Sequence, residues 1–266
     1  MFKPVSTAIL CAIALCSTPL IGQEADLTLD QIIEKHIAAS GGAEKINAVQ
    51  TMKASGTASL MGGQMEAPVT VVVKRPSSMR LEVSVQGKSI IQAFDGTTAW
   101  NLIPFTSPDP QKSNEEDTQS IKEDADFVGG PLFDYKTKGS TVELIGKEDV
   151  DGSPAYKLKV TKKSGNVQYI FLDAQTFLTM RTTGKRKQMG QELDLEINHG
   201  NYKPVNGVMI PFNIDQKNAG KSVMNFTLEK VEMNMPVDDA IFRMPEKPKE
   251  EQPAKPSDKD KAPEKP

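Results

Sequence analysis

The sequence predicts a mainly β fold: a single curved antiparallel sheet of about eleven strands forming an incomplete barrel, with an N-terminal helix and a short lid helix. Three observations lead there. From Thr51 onward apolar and polar residues alternate with period two, broken by turn signals at intervals of about eight to twelve residues. The amphipathic strands far outnumber the helices available to cover them. One long stretch, residues 104–139, follows neither the strand nor the helix period.

Both termini read as separate from the folded part. Residues 1–22 have the pattern of a secretory signal peptide: Lys3, an apolar run from Val5 to Ala14 that continues through Leu20 and Ile21, then Gly22 before a polar switch. Cleavage after Gly22 is the expectation. The alternative is an uncleaved anchor, since the stretch approaches the spanning limit of roughly 17 residues. A lipoprotein signal is weaker, because Leu15 precedes Cys16 and Leu10 precedes Cys11 where a small residue belongs. These are the only two cysteines, so the mature chain would have no disulfide, thiol nucleophile or thiolate metal site, and export without disulfides points to the periplasm. Residues 245–266 contain Pro, Lys, Glu, Asp, Gln, Ser and Ala with no large apolar side chain, the composition of a flexible solvated tail. The folded domain is therefore expected within 23–244.

The elements follow in order. Thr28 and Gln31 have capping-box spacing; Leu29, Ile32, Ile33 and Ile37 recur on one helical face; Gly41-Gly42 stops the helix. A weaker helical turn covers 43–49. Met52, Ala54, Ala58 and Leu60 then share one strand face, Gly62-Gly63 turns the chain, and Val69, Val71 and Val73 share a face, as do Leu81, Val83 and Val85. Further strands are expected around 90–94, 98–103, 141–145, 155–161, 167–172, 178–183, 192–197, 208–214 and 222–231. Asp95-Gly96, Asp151-Gly152 and Asn206-Gly207 supply the turns.

This much apolar sheet, with so little helix to shelter it, suggests a sheet that curls without closing and keeps an apolar hollow. A closed barrel or a two-sheet sandwich would satisfy the same alternation. The 104–139 stretch favours the hollow. It holds Pro108-Asp109-Pro110, the acidic cluster Glu115, Glu116 and Asp117, a short helix over 118–126, and then Phe127, Gly129, Gly130, Pro131, Leu132, Phe133 and Tyr135. Glycines and aromatics together suggest a hinged flap with an apolar underside.

Signals for bond-making chemistry are weak. The 32 basic and 35 acidic side chains give a formal net charge of -3, with no excess suited to nucleic acid. His36 and His199 are far apart in sequence, and His36 falls beside Ile33 and Ile37, a core-edge position. No Gly-x-Ser-x-Gly elbow or phosphate-cradling glycine loop occurs. The acidic pairs Glu148/Asp149, Asp194/Glu196 and Asp238/Asp239 read as turn or outward-facing residues, and Lys185-Arg186-Lys187 as a solvated hairpin end. The expectation is a non-enzymatic protein without cofactor or metal; a hydrolase acting on an envelope polymer rests only on scattered carboxylates.

Val73-Lys74-Arg75-Pro76, then Phe94-Asp95-Gly96-Thr97-Thr98-Ala99-Trp100 and Pro104-Phe105, resemble the Lys-Arg-Pro and Asp-Gly-x-Thr-x-Trp…Pro-Phe elements of the periplasmic outer-membrane lipoprotein carriers, the LolA/LolB-like family. Val237-Asp238-Asp239-Ala240-Ile241-Phe242 with Pro245 resembles that family's closing segment. The resemblance implies an open antiparallel barrel closed by helices, with acyl chains carried in the hollow. It also implies that the arginine of the Lys-Arg-Pro element, here Arg75, bonds to the lid and controls its opening. Strand parity independently puts Arg75 at the rim of the Val69, Val71 and Val73 face, where an ordinary strand-end cation would also lie. The Gly41-Gly42 stop, the long stretch after Phe105 and the charged tail have no counterpart in the family pattern.

The resulting expectation is a monomeric periplasmic carrier that takes lipid or lipoprotein acyl chains toward the outer membrane, with envelope membrane proteins as partners. The candidate lining is Val69, Val71, Val73, Leu81, Val83, Trp100, Phe105, Leu132 and Phe133, with Arg75 as lid latch. For Trp100 the alternative is plugging the core. Met61, Met65, Met79, Met180, Met209 and Met224 would suit an adaptable lining. The rival of the same fold is an envelope sensor or assembly module whose hollow is filled by its own side chains.

Overall fold

The structure, a computed structural model, describes residues 27–125, 129–188 and 191–246. The expected signal peptide, Phe127 of the flap and all of the expected tail after Glu246 lie outside the described residues.

Helix α1 (Leu29–Ala39) begins as its sequence dictates: Gln31 N donates to Thr28 Oγ1 at 3.4 Å while Thr28 N donates to Gln31 Oε1 at 2.9 Å. It buries Ile32, Ile33 and His36. Gly41 does more than stop it. With φ +118, a Cβ there would lie 2.3 Å from the Gly207 carbonyl oxygen, so only glycine lets the chain settle against that turn; Met209 N donates to Ser40 O at 3.0 Å beside it. Helix α2 (Ala43–Ala48) follows. Helix α3 (Glu115–Asp124) is capped by Asn114, whose side chain accepts from Asp117 N at 2.7 Å.

Strands β1 (Thr51–Leu60), β2 (Met65–Lys74), β3 (Ser78–Val85), β4 (Lys88–Phe94), β5 (Ala99–Leu102) and β6 (Gln111–Lys112) form one antiparallel meander. A second comprises β7 (Thr141–Val150), β8 (Ser153–Thr161), β9 (Val167–Asp173), β10 (Thr179–Gln188), β11 (Gln191–Val205), β12 (Val208–Asn218) and β13 (Lys221–Met233). Pairing of β1 with β13 joins them into one sheet of thirteen strands, with β6 and β7 as its free edges. The sheet is wider than the sequence suggested, and its smallest strand, β6, falls within the stretch expected to be irregular. Asp151-Gly152 and Asn206-Gly207 adopt positive φ at both residues, as tight hairpins require.

The sheet is curled but unclosed. Helix α3 packs against β4, β5 and β10. In the sheet order β4 and β10 stand seven places apart, which at about 4.8 Å per strand is about 34 Å if flat. A ten-residue helix is only about 15 Å long. Bending must bring the two halves together, and the described parts of the connection from edge β6 to edge β7, residues 113–125 and 129–140, pack against both.

Register gives every strand an inner and an outer face. On the inner face Met52 opposes Val73, Val73 opposes Met79 and Met79 opposes Phe94, so side chains from four strands line up. Toward one end of the first meander this face packs with Ile46 and Val49 from α2 and its cap, Ile121 from α3, and Phe133. On the second meander Tyr156, Leu158, Ile170 and Leu172 pack with Ile32 and Ile33 of α1 and with Leu132.

Candidate functional site

Inner-face residues of β1–β4, β12 and β13 continue beyond the helices. Ala58, Leu60, Ala67, Val69, Val83, Val85 and Phe226 are buried there, and Met65, Val71, Leu81, Ile90, Ile214 and Met224 are half-buried against them. None of α1, α2, α3 or the 129–139 segment contributes a residue to this cluster. Of the anticipated lining, Val69, Val71, Leu81 and Val83 meet here: Val69 opposes Val83 and Val71 opposes Leu81. Val73 lies on the same face but under the helices.

Leu132 and Phe133 are 1% and 3% exposed and belong to the two helix-covered clusters. They plug the closed half from the 129–139 segment. Gly129, with φ +88, permits that plug: a Cβ there would come within 2.9 Å of the Phe133 ring and 2.8 Å of Ile46. Arg75 stands at the rim. Its Nε donates to Val49 O at 2.8 Å and its Nη2 to Ile46 O at 3.1 Å, holding the C-terminal end of α2. A guanidinium suits this position because two fixed donors meet carbonyls at the helix C-terminus, where Ile46 O accepts only one other bond, from Val49 N at 3.3 Å, and its charge complements the helix dipole.

Two aromatics stand apart from this group. Trp100 is fully buried, but β4–β5 register sets it opposite Ala93, on the outer face; the inner positions are Phe94 and Ala99. The C-terminal segment with the 3-10 turn Asp239–Phe242 covers it, Trp100 Nε1 donates to Phe242 O at 2.8 Å, and the Arg80 guanidinium lies 5.9 Å from the ring centre. Trp100 therefore fills an outer core and does not line the hollow. Phe105 is 48% exposed in the turn after β5, its ring 5.3 Å from Lys88 Nζ. Among the methionines, Met65, Met79 and Met224 pack with the inner clusters; Met61 is exposed and Met180 packs with Val150, Ala155 and Phe171.

Alternation along β11 carries His199 onto the inner face. His199 opposes Ile214 and shares parity with Leu195 and Ile197. Burial alone pushes its imidazole down to about 4. His36, the core-edge histidine, is 7% exposed and Nδ1 donates to Phe177 O at 2.8 Å; burial lowers it also, against the opposing pull of that carbonyl.

Two hollows flank these clusters. A groove of about 290 Å³ runs between α3 and β9–β11, with Gln119, Ser120 and Glu123 on one wall and Thr182, Gly184, Leu195 and Ile197 on the other. A cleft of about 370 Å³ lies between the outer face of β1–β3 and the C-terminal segment, and includes Lys53, Arg80 and Arg243. No group of three or more His, Cys, Asp or Glu that could hold a metal occurs among the described residues.

No protein-family model matches the chain, and no curated protein matches it. Solved structures do. A LolA superfamily protein from Nitrosomonas europaea superposes with a TM-score of 0.54 at 15% identity, covering 82% of this chain and 98% of its own. The fold resembles that of the LolA-type lipoprotein-sorting superfamily. A DUF1329 family protein from Desulfovibrio piger gives 0.53 at 14%, covering 80% and 96%. A domain from Vibrio parahaemolyticus assigned to outer membrane lipoprotein sorting gives 0.52 at 10%, covering 79% and 94%. At these identities the likeness is one of fold. On this fold, α3 and the 129–139 segment pack over the inner face, and Arg75 fastens the C-terminal end of α2 beside them.

Proposed function

We propose that the protein is a monomeric, non-enzymatic periplasmic carrier that binds lipid, or the acyl chains of lipoproteins, on its inner face for delivery toward the outer membrane. One observation carries the reading: the inner face is continuous, but only part of it is sheltered by helices and plug, leaving Met65, Val71, Leu81, Ile90, Ile214 and Met224 half-exposed. Burying acyl methylenes against such a surface is worth about 0.8 kcal/mol each, so a chain of ordinary length is held tightly without any polar contact. Val69, Val71, Leu81 and Val83 form the floor, Val73, Leu132 and Phe133 the part reached when the lid moves, and Arg75 is the latch. Residues 1–22 serve as signal peptide.

A second reading, an envelope sensor or assembly module with no transported cargo, is favoured by the depth to which Leu132 and Phe133 plug the closed half. Native mass spectrometry of protein purified from its own periplasm separates the two. The carrier reading expects a mass increment of acyl lipid or lipoprotein; protein that is folded and uniformly empty supports the module.

A further inference from the structure

The connection across the mouth has a second fastening, remote from Arg75. Glu123 lies near the C-terminal end of α3, its side chain 14% exposed. Its carboxylate accepts from Lys162 Nζ at 2.8 Å, Ser164 Oγ at 2.7 Å and Asn166 Nδ2 at 3.2 Å, all in the turn between β8 and β9. Gln119 Nε2, one helical turn back, adds a bond at 2.9 Å. Local helix stability does not explain a carboxylate here, because negative charge near a helix C-terminus opposes the dipole. Its partners are held rigidly: Lys162 N donates to Asn166 O and Gly165 N to Lys162 O, each at 2.8 Å, so the turn presents a ready-made set of donors. Burial alone would raise this carboxyl, yet bonds from Lys162, Gln119 and Ser164 hold it below its ordinary 4.5.

The position of this contact gives it a consequence. The N-terminal half of the lid connection leaves the β6 edge, while the 162–166 turn belongs to the last strands before the β7 edge. Below the contact runs the groove whose floor includes Leu195 and Ile197, on the same inner face as His199 and Ile214. We infer that Glu123 and the 162–166 turn form a clasp that fastens the lid helix across the mouth of the sheet, and that its release opens the groove between α3 and β10–β11 as a side opening to the inner face. What passes through that opening rests on the carrier reading; the motion does not.

Hydrogen exchange on the ligand-free mature chain tests the clasp. In Glu123→Ala the amides of residues 118–125 should exchange at least roughly tenfold faster, since several bonds to a charged group are lost, while those of β1 and β2 stay at the parent rate. Glu123→Gln, which keeps the size and one acceptor oxygen, should give a smaller acceleration in the same amides. Unchanged exchange in α3 overturns the clasp, and so does equal acceleration in α3 and β1–β2, which would make Glu123 a general fold-holding residue. Uptake of a fluorescent sixteen-carbon fatty acid, measured on the same proteins, should speed up with α3 exchange. If α3 loosens and neither parent nor variant takes up the probe, the carrier reading fails and the clasp stands.

Discussion

At the helical end of the inner face, Met52, Val73 and Phe94 lie beneath Ile46, Ile121 and Phe133; at the other end, Leu60, Met65 and Ile90 continue the same strands with no helix residue in their cluster. The strand code is the same in both regions, alternating and apolar inward. The difference lies in the supply of cover. Among the described residues, three helices of eleven, six and ten residues shelter a thirteen-stranded sheet, and they are concentrated on part of it. Alternation therefore specifies the sheet, while the few covering segments decide which part of it becomes core and which stays a surface able to accept a guest. Val71, which packs against both clusters, stands on the boundary between the two.

The contrast can be broken most severely by truncation. Phe133→Ala, in the covered region, should cost about 3–5 kcal/mol of unfolding free energy, whereas Met224→Ala, half-exposed, should cost about 1–2. Urea melts of the two variants measure this. Equal losses would mean that both regions are equally closed.

Acid should weaken the protein through the inner face. The His199 imidazole falls from 6.5 unfolded to about 4 folded, so between those pH values the unfolded chain takes up a proton that the folded one refuses. The stabilisation is complete above pH 6.5 and is lost as pH falls toward 4, a change of about 2–3 kcal/mol. The lowered His36 and Glu123 groups act in the same direction, His36 below 6.5 and Glu123 below 4.5. Denaturation curves from pH 7 to 4 should show the decline, and His199→Leu should flatten it. A decline of the same size in His199→Leu would remove the histidine from the account.

Arg75→Leu takes two charge-assisted bonds from the end of α2, which should release a bound acyl probe at least roughly tenfold faster while costing about 1–2 kcal/mol of stability. Stopped-flow displacement gives the rate, and an unchanged rate removes the latch. Smallest is Trp100→Phe on the outer face: loss of the bond to Phe242 O should cost about 1–2 kcal/mol and leave acyl affinity at the parent value. Weakened affinity would return Trp100 to the lining.

Much of the sheet was legible because period two is strong from Met52 through Val85, and the capping box and Gly41-Gly42 marked α1 from sequence alone. Strand β6 was not, since Gln111-Lys112 has no room to alternate. The face occupied by Trp100 depends on β4–β5 register and on a C-terminal segment about 140 residues later that covers it. Glu123 was not singled out within the expected 118–126 helix, because its partners follow by 39 to 43 residues. His199 did leave a signal, a polar residue on the apolar parity of Leu195 and Ile197, visible once that alternation is carried past Ile197.

The central claim, that the uncovered inner face receives an acyl chain, is tested most directly by photo-crosslinking with a diazirine-bearing fatty acid and mapping the adducts by peptide mass spectrometry. The account predicts adducts on β2, β3, β12 and β13, at residues such as Val71, Leu81, Ile214 and Met224. Adducts confined to the exposed Phe105 turn or the outer face, or none at all on folded protein, would contradict it.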